Sequence, residues 1–261
     1  MTDTLSVSKL TKNFGGLNAL SNLTMRLGEG ELIGLIGPNG AGKTTVFNLL
    51  TGVYEPSSGS VTFVSQDGRS LELGGRKPYA ICQAGVSRTF QNIRLFKDLP
   101  VLENVVIAMQ GNASYGLAAS FLHAFGYGKA EARIREESMS LLQLMGLEDK
   151  AAELARNLPY GEQRHLEIAR ALATKPSLLL LDEPAAGMNP NETARLTELI
   201  AWLREHFGLT ILLIEHDMSL VMKICERIYV LDHGVLISEG TPTQVQHDPK
   251  VIEAYLGQEA D

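Results

Sequence analysis

Gly37-Pro-Asn-Gly-Ala-Gly-Lys-Thr-Thr45 is the stretch from which the rest of the chain can be read. From Gly37 to Thr44 the spacing is G-x-x-x-x-G-K-T, a loop built to cradle phosphate. Glycine allows positive φ and close approach of the backbone, so successive amides can turn toward phosphate oxygens. The loop residues expected to hold a nucleotide are Gly37, Pro38, Asn39, Gly40, Ala41, Gly42, Lys43, Thr44 and Thr45. Lys43 is expected to reach the β- and γ-phosphates, and the Thr44 hydroxyl to ligate Mg²⁺. The flanks agree: Glu31–Ile36 is a short apolar run that suits a buried strand, and Val46–Thr51 suits the helix whose N-terminus would face the phosphate.

A second stretch supplies the carboxylates. Ser177-Leu-Leu-Leu-Leu-Asp-Glu-Pro184 is an apolar run ending in two acids. A run without alternation suits a parallel strand covered on both faces, and ligands bind at the carboxyl ends of such strands. Asp182 is placed to hold Mg²⁺ through water, and Glu183 to orient an attacking water. Alone, the stretch reads equally well as a strand and a solvated acidic turn. The phosphate loop upstream favours catalysis.

With both halves in view, nearly the whole chain resembles an ATP-binding cassette (ABC) ATPase. Gln91, in Arg88-Thr-Phe-Gln91, stands where that family has its Q-loop glutamine, and His216 matches the switch histidine. Phe14 matches the aromatic that stacks on adenine, and Leu158-Pro-Tyr-Gly-Glu-Gln163 matches the family signature LSGGQ. The resemblance implies ATP/ADP and Mg²⁺ as ligands. It also implies catalytic roles for Glu183, His216 and Gln91, and a metal set of Thr44, Gln91 and, through water, Asp182. The signature residues Pro159, Tyr160, Gly161 and Glu162 would act in trans, on the nucleotide of a second cassette. Two positions depart from the pattern: Pro159 replaces the signature serine and offers neither a hydroxyl nor an amide, and Asn189 stands where many cassettes have Asp.

The segments Ala185–Pro190, Ile214–Met222 and Gly240–Gly257 resemble one subgroup, the ATPase subunits of branched-chain amino acid importers. The resemblance implies a second ABC ATPase as partner, as a heterodimer with a homodimer as the other option. It also implies two transmembrane permease subunits and, indirectly, a periplasmic or extracellular substrate-binding protein. Urea, short amides or other amino acids stay open as cargo. Two further classes are a soluble non-transport cassette ATPase, which would usually carry two cassettes or a long coiled coil, and a non-catalytic ATP-holding subunit, against which Glu183 and His216 speak.

Composition is consistent with this reading. The 261 residues are 44% hydrophobic, enough for a real core. A net charge of −7 argues against a nucleic-acid partner, which would favour a basic face. Cys82 and Cys225 lack C-x-x-C spacing, which suggests a reducing compartment and no structural metal site. No apolar run approaches the ~20 residues of a membrane span, and Met1-Thr-Asp-Thr lacks the basic start of a signal peptide. The expected location is cytoplasmic, peripheral on the inner face of the membrane through partners.

The fold class expected is α/β: a P-loop NTPase (RecA-like) core with an antiparallel β subdomain and an inserted α-helical subdomain. The expected divisions are 1–91, core with antiparallel strands; 92–158, helical, with the Q-loop at its start; 159–239, core with signature, second carboxylate strand and His216; and 240–261, a C-terminal tail. Gly59–Val64 alternates like a half-exposed strand, and Lys129–Met145 carries apolar residues at helical spacing. Residues 111–128 read as an irregular connection.

Overall fold

A computed structural model describes residues 3–112 and 127–256. Two long strands, β1 (Asp3–Phe14) and β2 (Leu17–Gly28), open the chain as an antiparallel pair. The next strand, β3 (Leu32–Ile36), has no polar side chain and is buried along its whole length. It leads through the phosphate loop into helix α1 (Lys43–Leu50). Strands β4 (Ser58–Val64) and β5 (Ser70–Glu72) return to β1, giving an antiparallel sheet of order β2-β1-β4-β5. The alternation read at 59–64 holds: Val61 and Phe63 are buried, opposite Val7 and Leu5 of β1.

After helix α2 (Pro78–Gln83) the chain enters the second sheet with β6 (Val86–Arg88). That sheet runs β10-β9-β3-β8-β7-β6, with β7 (Leu178–Asp182), β8 (Thr210–Ile214), β9 (Arg227–Asp232) and β10 (Val235–Gly240). β3 lies between β8 and β9 and is parallel to both; β7 is parallel to β8 and to β6. A strand flanked and covered in this way needs apolar residues at every position, which explains the unbroken runs at Leu32–Ile36 and Leu178–Leu181. One hydrophobic core joins the two sheets: Leu5, Val7 and Phe63 from the first meet Ile33, Leu180 and Leu212 from the second, with Phe47 and Leu50 of α1. This is the expected P-loop core with its antiparallel sheet.

The chain forms two compact units, residues up to Gln91 together with Pro176 onward, and Asn92–Lys175. The second unit is helical: α3 (Val101–Asn112), α4 (Tyr127–Leu144) and α5 (Tyr160–Ala173). Val101, Val105 and Val106 of α3 are buried, as are Leu142 of α4 and Leu166 and Ala169 of α5. Asn104, fully buried, is satisfied by backbone alone: its oxygen accepts from Phe96 N–H at 2.9 Å and its amide donates to Phe96 O at 3.1 Å and Pro100 O at 3.0 Å. Within 111–128, the ends belong to α3 and α4, and 113–126 lie outside the described residues. The first unit closes with α6 (Pro190–Phe207), α7 (Met218–Ile224), α8 (Pro242–Gln246) and α9 (Pro249–Leu256). Among the described residues no helix is long and apolar enough to cross a membrane.

Candidate active site

The phosphate loop is shaped by contacts that only glycine allows. Gly37 has φ +149°, and a Cβ there would stand 2.0 Å from the Leu231 carbonyl oxygen at the end of β9. Gly42 has φ +102°, and its Cβ would meet the Ala19 oxygen at 2.9 Å. Gly42 caps α1 without any side-chain hydrogen bond, so the helix N-terminus keeps its amides for an anion. The loop is also held from outside, with Gly234 N–H donating to Ala41 O at 3.0 Å.

Lys43 is nearly buried and turned back into this loop, donating to Gly37 O at 2.6 Å and Pro38 O at 2.9 Å. Burial lowers the pKa of its ammonium, while the charges of Glu183 and Asp182 oppose the shift. Asn39, Gly40 and Thr44 are exposed, Thr45 is half-buried, and Ala41 is buried.

The carboxylates stand at the C-terminal ends of neighbouring strands. Asp182, buried at the end of β7, forms an ion pair of 2.6 Å with Arg88 from β6, and both side chains are almost wholly covered. Arg88 also donates to Asn48 Oδ1 of α1 at 2.7 Å, and its guanidinium carbon is 5.3 Å from the centroid of the Phe47 ring and 5.0 Å from that of Phe90. A buried charge is tolerated only when paired and hydrogen-bonded. Arg88 therefore binds the phosphate-loop helix to the strand carrying Asp182.

Glu183 has φ +45°, rare for a residue with a side chain. Its amide donates to Ile214 O at 2.9 Å and holds the chain in that turn. Such a conformation costs about 1–3 kcal/mol and persists where the surroundings over-determine it, commonly at active sites. The strain places Glu183 Oε2 where two other expected residues converge: Gln91 Nε2 donates to it at 2.8 Å, and His216 Nδ1 lies 3.7 Å away. Lys43, Asp182, Glu183, Gln91 and His216 are thus gathered in the first unit. Phe14 is exposed and packs edge-on against Tyr54, with ring centroids 5.0 Å apart. Lys12 Nζ is 5.0 Å from the centroid of the Phe14 ring.

The signature residues belong to the second unit. Pro159 is the N-cap of α5 and makes no side-chain cap. Tyr160 is exposed, Gly161 half-buried, and Glu162 takes both Nζ contacts of Lys150 at 2.5 Å. Behind them Arg164, fully buried, pairs with Glu167 at 2.6 Å.

Three residues at this site escape sequence reading: Arg88, Tyr54 and Glu215. Glu215 is buried immediately before His216. Burial pushes its carboxyl above the usual carboxylate range, opposed by backbone N–H groups that donate to it. A charge at the end of an unbroken apolar strand, mirroring Asp182-Glu183 on β7, was the available signal.

Residues 20–186 match the family described as ABC transporter. The chain belongs to the ABC transporter family. It is an ATPase of that family, and residues 235–261 match a second family described as branched-chain amino acid ATP-binding cassette transporter. Among curated relatives, the high-affinity branched-chain amino acid transport ATP-binding protein LivG of Escherichia coli K12 is 47% identical over 97% of this chain and 98% of its own length. BraF of Pseudomonas aeruginosa, carrying the same description, is 44% identical over the same shares. Of solved structures, the ADP conformation of MJ1267, an ATP-binding cassette of an ABC transporter, has a TM-score of 0.82 at 29% identity, covering 98% of this chain and 100% of that one. The ABC fold and the loop between β3 and α1 therefore agree with the reading from sequence.

Proposed function

We propose that this ABC ATPase energises the import of branched-chain amino acids through membrane-embedded permease partners. The observation that carries the cargo assignment is 47% identity to LivG across 97% of the chain, extended by the C-terminal match at 235–261. Urea and short amides are the competing cargo. In this reading the chain is peripheral at the inner membrane face, pairs with a second ABC ATPase, and is served by an extracytoplasmic binding protein.

The donors at the phosphate loop fit Mg-ATP: a glycine cradle that a Cβ would fill, a nearly buried ammonium and an uncapped helix start. Thr44, Gln91 and Asp182 offer the hard oxygens that Mg²⁺ takes, and the bound metal would neutralise charge on the transferring phosphoryl group. Lys43 exchanges its loop carbonyls for β- and γ-phosphate oxygens. Glu183 accepts a hydrogen bond from, and thereby orients, the water that attacks the γ-phosphate. His216 faces the γ-phosphate side, and Gln91, hydrogen-bonded to Glu183, carries the state of the site into the loop beginning at Asn92. Phe14 stacks on adenine. Pro159–Glu162 of one cassette face the nucleotide of the other through the free amides of Tyr160, Gly161 and Glu162.

The test is uptake by cells lacking this chain. Radiolabelled leucine, isoleucine and valine should enter again when the chain is restored, and not when Glu183→Gln is supplied. Uptake of urea rescued in place of leucine would replace the cargo assignment; rescue by Glu183→Gln would remove Glu183 from its role.

A further inference from the structure

We propose that Glu215 is a positioning residue for ATP hydrolysis, clamping the loop after β7 to the end of β8 so that Glu183 and His216 are held against each other. The inference rests on the roles given above to Glu183 and His216. Glu215 has a fully buried side chain and two carboxylate oxygens that serve different segments. Oε1 accepts Ala185 N–H at 2.7 Å, from the loop that follows Glu183. Oε2 accepts His216 N–H at 3.1 Å and, more weakly, Asp217 N–H at 3.5 Å, from the loop that carries the histidine. The same Oε2 is 3.8 Å from His216 Nδ1, which lies 3.7 Å from Glu183 Oε2 on its other side. Strands β7 and β8 are neighbours, with Asp182 opposite Ile214. Their hydrogen-bonded ladder ends at Glu183 N–H to Ile214 O. Beyond that point Glu215 joins the two loops.

An aliphatic residue would satisfy the packing but leave two loops unjoined. Glutamine would fit the volume, yet it replaces one acceptor oxygen by an NH₂ group, which cannot accept from either backbone donor. Glu215→Gln must therefore release the Ala185 amide on one side or the His216 amide on the other, while leaving the side chains of Glu183 and His216 unchanged.

The experiment compares the parent, Glu215→Gln and Glu215→Asp in the assembled transporter for turnover, and in the full chain for Mg-ATP binding and amide hydrogen exchange. The shorter Asp keeps both oxygens but cannot span to Ala185. Glu215→Gln should lower kcat on the order of tenfold to a hundredfold, the scale of a small misplacement of reacting groups. KM for ATP should stay within about threefold, because the ground-state contacts are intact. Exchange of the amides at Ala185, or at His216 and Asp217, should become faster. A kcat close to the parent's overturns the proposal, as does a loss shared equally between kcat and KM or one without faster exchange at Ala185 or at His216 and Asp217. If the glutamine variant does not fold, Glu215→Asp is judged by the same criteria; failure of both to fold makes Glu215 a requirement of the fold and also overturns the proposal. Glu183→Gln is the control. If it turns over like the parent, the reading of the site is wrong; if it is inactive while Glu215→Gln is normal, only the clamp is wrong.

Discussion

Lys43 shows how much one residue can carry here. Its ammonium is nearly buried, held by two carbonyls of its own loop and attracted by Glu183 and Asp182. Each charged hydrogen bond is worth about 1.5–3 kcal/mol, so Lys43→Ala should weaken Mg-ATP binding on the order of tenfold to a hundredfold. Titration calorimetry on the full chain measures this, and an unchanged Kd would remove the loop from nucleotide binding. Cys225 gives a second prediction. Burial pushes its thiol up to about 12, with the Glu226 charge adding to the shift. The reactive thiolate is therefore scarce at pH 8, and alkylation of the folded chain should modify the half-buried Cys82 well before Cys225. Comparable rates at the two cysteines, read by mass spectrometry, would contradict this. Lys43 and Thr44 were legible because their role depends on spacing to the glycines of one local loop. Arg88 was not, because its partners Asp182 and Asn48 are distant in sequence and meet only when β6, β7 and α1 pack.

At the scale of elements, the parallel strands were the most readable, since complete burial demands continuous apolar runs. Caps were less so. Asn189 stands out in sequence as a departure in the loop after Glu183, yet its side chain has a local task. Its oxygen accepts from Asn191 N–H and Glu192 N–H at 3.0 Å each, while Glu192 Oε2 accepts from Asn189 N–H at 3.0 Å. This is a capping box at the start of α6. Asn189→Ala should cost about 1 kcal/mol, lowering Tm by roughly 2–4 °C, whereas Asn189→Asp should keep the cap and the Tm. Equal Tm values for the alanine variant and the parent in calorimetry would show that the cap contributes nothing. Pro159 is read by the same logic. As N-cap of α5 it lacks an amide and a capping oxygen, but it leaves the amides of Tyr160, Gly161 and Glu162 without a side-chain cap.

At the scale of the whole molecule, Lys43, Asp182, Glu183, Gln91 and His216, the residues proposed to serve this chain's own nucleotide, are all present, while the signature proposed to act in trans carries Pro159. A heterodimer with unequal sites is the arrangement we propose from that imbalance. This chain's nucleotide would be closed by an intact partner signature, and the partner's nucleotide by Pro159–Glu162, where a missing charged hydrogen bond costs about 1.5–3 kcal/mol. In the assembled transporter, changing Glu183→Gln here should therefore cost far more turnover than the matching change in the partner ATPase. Equal losses would show that the remaining helix amides suffice and that the sites are equivalent.

The sequence by itself determined the family, the phosphate loop, the two carboxylates and the apolar strands of the core. Each is written in consecutive residues whose spacing is imposed by backbone geometry or by burial on both faces of a sheet. Tertiary structure alone decided that Asp182 pairs with Arg88, that Glu183 adopts φ +45° beside Gln91 and His216, and that Glu215 joins two loops. Local propensity carries no record of these contacts: hydrogen bonds and ion pairs between residues far apart in sequence exist only once chain folding has removed water from between them.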